Sequence, residues 1–559
     1  MDPPRDPPRR PCRGPAAPPS GHSATIRASS RSTRPARCLL PHRANPESTM
    51  PTTRPSSTSP LLLSLLLATA CTSMDADVGS GGMGSGDYGV TPGGSQDIGY
   101  VRELIEQGFV PGLDDWSPEG LFSEHDLPLS GEACDQLLCP RAAASTLPMD
   151  GAMLVQLGFG TNLDADTWQR RPLNLAIAVD ISGSMADGKL SAVKTALRDL
   201  STRVDAQDRV ALVAFDDQAE VRLPSTVMDD AGRVALRDAI ADLHERGATD
   251  IGAGLRQAYG QVELHADDAG LEDRVMLFTD AMPNVGATGD DEFVGLVTRH
   301  ADEDIGLTVF GTGIDMGNDL AELMSEVRGG NYVYLPDPER IGTVFEEAFD
   351  FLVSPIAYDL DVELRTAEGW RFVDAIGAPL DDPGATLAFG AATLFLSNND
   401  GGMAVILERD PSTDGDTPAD APADGLADIG ERLVSFHLEY EDAETGRRGD
   451  DDLTVGFEGG ESWVSAELGD ESPRADDLGV FKMAFLLDEV DALTAAGEFC
   501  DGVIPAAEAH RRVAEAEERL SIAADTLEVA GENGAGLDEE SELMQRLAEN
   551  LEGGRNRCN

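Results

Sequence analysis

Three short segments carry oxygen-bearing side chains at spacings that suit a metal ion. The first is Asp180-Ile181-Ser182-Gly183-Ser184-Met185, which sets one carboxylate and two hydroxyls on a tight loop. The second, Gly247-Ala248-Thr249-Asp250-Ile251-Gly252, places Thr249 just ahead of an expected helix. The third, Phe278-Thr279-Asp280-Ala281-Met282-Pro283-Asn284, puts Asp280 at the tip of an apolar run. Carboxylate and hydroxyl oxygens are hard ligands, suited to Mg²⁺, Mn²⁺ or Ca²⁺ rather than to soft metals. A hydrolase built on Ser182 or Ser184 would need a base and an oxyanion hole. There is no Gly-x-Ser-x-Gly elbow, and no histidine lies near either serine in sequence. His-Glu-x-x-His and Gly-x4-Gly-Lys-Ser/Thr are also absent, which argues against a zinc protease and a nucleotide-hydrolysing loop.

These segments need a scaffold that brings their ends together. Residues 172–353 alternate apolar runs with amphipathic stretches. The expected strands are 173–179, 209–215, 220–223, 274–279, 307–311 and 332–335. The expected helices are 189–204, 231–244, 251–264, 290–300, 319–327 and 338–352. Strands that are apolar throughout and alternate with helices predict a parallel sheet covered on both faces. The strand at 220–223 follows its predecessor after a short turn and is expected as an antiparallel edge. Asp180 and Asp280 then fall at carboxyl ends of strands, where such sheets bind ligands.

The Asp-x-Ser-x-Ser, Thr and Asp set, in this order and at these strand ends, resembles the metal-ion-dependent adhesion site of the von Willebrand factor type A domain. The resemblance implies an α/β, doubly wound, Rossmann-like domain with one antiparallel edge strand. It implies that Ser182 and Ser184 bind the metal directly, and that Thr249 does so when a ligand is engaged. Asp180 and Asp280 would act mainly through bound waters or exchange with Thr249. Ala281 stands where the family more often has Gly. The resemblance further implies a protein partner that supplies an Asp or Glu to the ion, and a site coupled to the last helix of the domain.

Across 559 residues, 102 acids face 42 bases, a net charge of −60. Only Lys189, Lys194 and Lys482 are lysines. A surface this acidic repels phosphate backbones, which excludes nucleic acid as a partner, and it enriches divalent cations. The 41% hydrophobic content supports real cores. Residues 1–49, rich in Pro, Arg and Ser, read as disordered or as sequence upstream of a true start at Met50. Residues 50–70 have the layout of a signal peptide, with Arg54, an apolar run at 60–68, and small residues before Cys71. That ending resembles a bacterial lipoprotein signal, in which Cys71 is lipidated and anchors the chain to a membrane; a plain cleaved signal is the alternative. Residues 71–97 read as a flexible tether. The tether contains Gly79-x-Gly81-x-x-Gly84, but no strand precedes it and no helix follows, so it is not a dinucleotide fingerprint.

Setting aside Cys12, Cys38 and Cys71 leaves Cys134, Cys139, Cys500 and Cys558. An even number in an exported chain suggests disulfides. Of three connectivities the local pairs Cys134–Cys139 and Cys500–Cys558 are the simplest, and four free thiols are the alternative. C-x4-C spacing without a histidine cluster argues against zinc. Residues 98–171 form an N-terminal segment with a short helix at 100–107 and a strand at 152–159. Residues 355–470 alternate in the manner of a β-sandwich, and 473–559 return to helical periodicity. This layout looks like bacterial exported proteins of the YfbK type. The expected function is divalent-metal-dependent protein binding, adhesive or scaffolding and not enzymatic, by a lipoprotein of the cell envelope at the periplasm or cell surface. The competing readings are a structural envelope protein whose metal only stabilises the fold, and a hydrolase.

Overall fold

The computed structural model describes residues 89–558 except 93–97, 148–151, 165–166, 187, 267, 282–290, 313–325, 336–344, 346–348, 381, 398–401, 412–425, 460–473 and 533. The expected disordered start, the signal peptide, Cys71 and the tether up to residue 88 lie outside the described residues. So do most of the expected helices at 319–327 and 338–352.

In chain order the elements are β1 (Gly89–Pro92), α1 (Ile98–Glu106), α2 (Pro118–Glu124), β2 (Leu138–Thr146), β3 (Met153–Thr161), β4 (Leu173–Asp180), α3 (Lys189–Arg203), β5 (Arg209–Phe215), β6 (Ala219–Val227), α4 (Asp230–Ala241), α5 (Ile251–Val262) and β7 (Glu272–Thr279). They continue as α6 (Asp291–Ala301), β8 (Gly306–Thr312), β9 (Gly330–Leu335), β10 (Pro355–Thr366), β11 (Trp370–Ile376), β12 (Thr386–Ser397), β13 (Met403–Arg409), β14 (Glu431–Asp442), β15 (Arg448–Phe457), α7 (Leu478–Cys500), α8 (Ala506–Ala530) and α9 (Ala535–Glu552).

Six strands form the α/β layer in the order β6-β5-β4-β7-β8-β9. All pairs are parallel except β5 with β6, so the edge strand is antiparallel as expected. Side chains alternate between the two faces of a strand. On β4, Leu173, Leu175, Ile177 and Val179 pack with α3 and α4, while the small Ala176 and Ala178 face α5. Every β4 side chain is therefore buried, and the apolar run has no solvent face. Small residues on the second face let α5 come close: a Cβ on Gly254 would lie 2.5 Å from the Phe215 ring.

The remaining strands form two antiparallel sheets, β1-β12-β10-β14-β15 and β11-β13-β3-β2. Their facing sides share one core, including Val155, Leu157, Phe372, Val405, Leu360 and Phe436. The outer face of the four-stranded sheet is covered by helices, so Leu154 and Ala404 belong to a core with Val101, Phe122, Phe485 and Leu547. β3 is buried along its whole length for this reason. This redraws the expected boundaries. The segment 98–171 is not one unit: α1 and α2 join the C-terminal helices, while β2 and β3 join the sandwich. Residues 355–470 do not complete the sandwich alone, because β13 needs β3 as its neighbour, with Met403 opposite Leu157. Part of the expected tether is also sheet, since β1 pairs antiparallel with β12. The α/β layer is thus inserted between β3 and β10.

Both local cysteine pairs, Cys134–Cys139 and Cys500–Cys558, are disulfides. In the helical layer Glu540 of α9 is buried, paired with Arg102 of α1 and 3.0 Å from His125 Nε2. Among the described residues no helix is long and apolar enough to cross a membrane.

Candidate metal centre

The strand β4 delivers Asp180 to the sheet's carboxyl edge, between β5 on one side and β7 on the other. Connections leave for opposite faces at this point, which opens a crevice. The chain then turns sharply. Ile181 N–H donates to Phe215 O at 2.9 Å, and Ser182 N–H donates to Asp180 Oδ1 at 2.8 Å. A single turn at Gly183–Met185 follows, anchored by the fully buried Met185. A carboxylate that accepts a backbone N–H two residues on is a usual way to hold such a turn.

Four of the five expected ligands are joined by hydrogen bonds. Asp180 is buried and accepts from the Ser182 backbone N–H. Ser182 Oγ lies 2.9 Å from Ser184 Oγ, and Ser184 Oγ donates to Asp280 Oδ1 at 2.8 Å. Ser182 is buried, whereas Ser184 is exposed, so the chain runs from the interior to the surface. Burial pushes the Asp180 carboxyl up from its ordinary range, and hydrogen bonds from Ser182 and Thr279 oppose that rise.

The fifth residue, Thr249, is exposed on a neighbouring loop that is tied to the same turn. Arg246 N–H donates to Ile181 O at 2.6 Å, and Gly183 N–H donates to Gly247 O at 3.3 Å. Gly247 has φ +73°, and a Cβ there would meet Asp216 at 2.9 Å, so only glycine suits this approach. Asp216, at the end of β5, holds the loop by accepting from Arg246 Nε at 2.7 Å. Its backbone oxygen accepts from Asp250 N–H at 2.6 Å. Asp250 itself caps α5, accepting from Ala253 N–H at 2.8 Å, so its carboxylate serves the helix.

Sequence reasoning did not single out Thr279, Lys189, Asp216 or Arg246. Thr279 Oγ1 donates to Asp180 Oδ2 at 2.7 Å, and Lys189 Nζ donates to Asp280 Oδ2 at 2.7 Å. Thr279 adjoins Asp280 and Asp216 closes an apolar strand, which are the only local signals. The donor set is all hard oxygen, and it fits a divalent cation such as Mg²⁺. Ser182 and Ser184 would hold the ion, with Thr249, Asp180 and Asp280 around it. Elsewhere Glu263, His300 and Glu303 form a second metal-capable group, their ligand atoms within 4.8 Å of one another.

Residues 175–282 match the family model for the von Willebrand factor type A domain. The uncharacterized protein YfbK of Escherichia coli (strain K12) is 27% identical over 199 residues, 35% of this chain and 34% of that relative. The chain therefore matches about a third of the relative's length. Among solved structures, von Willebrand factor type A from Catenulispora acidiphila is similar at 17% identity, covering 72% of this chain and 89% of that one with a TM-score of 0.37. Proximal thread matrix protein 1 from the mussel byssus, in a structure with a zinc-occupied adhesion-site motif, covers 33% of this chain and 49% of its own. Its identity is 14% and its TM-score 0.29.

Proposed function

From the premise that residues 175–282 are a von Willebrand factor type A domain, we propose that this protein binds a carboxylate of a protein partner through a divalent cation at the β4–β7 mouth. The observation that carries the reading is the hydrogen-bonded series Asp180, Ser182, Ser184 and Asp280, which presents an exposed hydroxyl at Ser184. A hard dication held there supplies a positive point for one external carboxylate oxygen.

The chain's own residues divide the work. Asp180 is fixed by two donors, Ser182 N–H and Thr279 Oγ1, and supplies buried negative charge. The Ser182 and Ser184 hydroxyls offer neutral oxygens, which add no charge to offset the ion's. Thr249 brings a further hydroxyl from a loop whose position Asp216 and Gly247 dictate. Among the described residues no histidine hydrogen-bonds to Ser182 or Ser184, which supports a binding role over a hydrolytic one. The same proposal places the protein in a bacterial cell envelope, exported and anchored through a lipid on Cys71. The signal-like layout of 50–70 and the two disulfides support export.

Affinity capture from envelope extract tests the reading. With Mg²⁺ the chain is expected to retain a partner that EDTA releases and that Asp180→Ala fails to retain. Far-UV circular dichroism of Asp180→Ala at the capture temperature should match wild type, which separates loss of capture from loss of fold. Equal capture in Mg²⁺ and EDTA would sink the proposal and favour a metal that only stabilises the fold.

A further inference from the structure

We infer that Lys189 is a specificity-determining residue of this centre: it holds Asp280 away from the cation, keeping the bound ion attractive to an outside carboxylate at some cost in ion affinity. The inference rests on the proposed metal reading. Asp280 has both oxygens engaged, Oδ1 by Ser184 at 2.8 Å and Oδ2 by Lys189 at 2.7 Å. The Asp280 side chain is only 2% exposed and that of Lys189 29%, so the pair is largely shielded from solvent. A shielded ammonium–carboxylate bond does not yield to water as a surface pair does.

The position of Lys189 is itself unusual. It is the first residue of α3, set by Gly188 at φ +103°. The start of a helix carries positive partial charge and favours acids there, not a lysine. The chain has 39 arginines among its 42 bases and only three lysines. A residue that breaks a local rule without gain to its own helix points to a role elsewhere.

The charge arithmetic gives that role. Asp180 and Asp280 together would cancel a dication, leaving a neutral centre with little pull on an acid. With Lys189 included the centre carries one net positive charge. The same ammonium repels the ion and occupies the Asp280 oxygen that would otherwise approach it. Lys189 therefore weakens ion binding and strengthens carboxylate binding, two effects of opposite sign from one side chain.

Mn²⁺ reports both. Titration of MnCl₂ into the exported full chain gives ion affinity from the free Mn²⁺ resonance signal. Sodium acetate added to the complex then reads carboxylate binding as loss of water-proton relaxivity, because acetate displaces Mn²⁺-bound water. Binding that survives Asp180→Ala belongs to other groups, such as Glu263, His300 and Glu303, and is subtracted. Lys189→Met is expected to tighten Mn²⁺ about tenfold and to raise the acetate needed by about tenfold, as loss of a unit charge a few ångströms away implies. Lys189→Arg should restore both values toward wild type. Lys194→Met, which removes the same net charge from an ammonium that bonds the Ala241 and Leu243 carbonyls and not Asp280, should move neither. If Lys189→Met leaves both values unchanged, or moves them in the same direction, the inference is overturned while the metal reading stands. If wild type shows no Mn²⁺ binding that Asp180→Ala removes, the metal reading falls and takes this inference with it.

Discussion

Thr279 Oγ1 donates to Asp180 Oδ2 at 2.7 Å and itself accepts from Ala281 N–H at 3.1 Å. A backbone N–H can only donate, so the hydroxyl proton is free for an acceptor, and Asp180 Oδ2 is far closer to Oγ1 than Ala281 O at 3.5 Å. The tips of β4 and β7 are thereby joined through side chains where their backbone ladder ends, one residue beyond the pairing of Val179 with Phe278.

Thr279→Val keeps the shape of the side chain and deletes that donor. Asp180 would keep its burial and lose a partner, a loss of about 1–3 kcal/mol. Urea unfolding should show the destabilisation, and Mn²⁺ titration should show weaker binding. Thr279→Ser retains the hydroxyl and is expected to restore most of both. Unchanged Mn²⁺ binding in Thr279→Val would mean that Asp180 does not need this orientation.

The Cys500–Cys558 bridge closes a loop across 58 positions and pins the chain's end beside Val110, whose N–H donates to Arg557 O at 2.8 Å. Loop-closure entropy for a ring of that size corresponds to about 4 kcal/mol. Cys558→Ser should lower the stability of the helical layer by that order and leave metal binding at the α/β layer unaffected. Denaturant curves followed by helical circular dichroism, paired with Mn²⁺ titration, check both halves.

Glu540 supplies a pH dependence. Burial would raise its carboxyl, but Arg102 and His125 outweigh burial and hold it down to about 2, against an ordinary 4.5. A carboxyl depressed in the folded state contributes its full stability above about pH 4.5, and the contribution is lost as pH falls through about 2. The amount is on the order of 3 kcal/mol. Glu540→Gln should therefore be less stable than wild type at pH 7, and the gap should close between pH 4.5 and 2. Urea midpoints across that range read it directly; a gap independent of pH would show that the carboxylate charge is not what matters.

The α/β layer was legible because its signals are local. Apolar runs such as 173–179 mark strands buried on both faces, and glycine or aspartate marks each helix start. The Asp180, Ser182 and Ser184 spacing lies within one turn, and Thr249 and Asp280 sit beside recognisable element ends. The sandwich was harder, because its partnerships are distant in sequence: Met403 meets Leu157, and Gly89 meets Ser397. β2 contains Pro140 and a run of alanines, and β15 begins Arg448-Gly449-Asp450-Asp451-Asp452, so neither looks like a strand from composition. Lys189 was missed because a charged residue at a helix start ordinarily faces water, and Asp216 because it is one of 102 acids.

The insertion of the α/β layer between β3 and β10 has a mechanical consequence. Its two covalent connections leave from the end of the sheet opposite the mouth, where Trp168 stacks on Phe351 and Arg170 bonds both Asp208 and Asp350. One connection continues into the four-stranded sheet through β3, and the other into the five-stranded sheet through β10. Tension applied by a partner at the mouth would be divided between two strands in two different sheets, so that neither edge would be peeled alone.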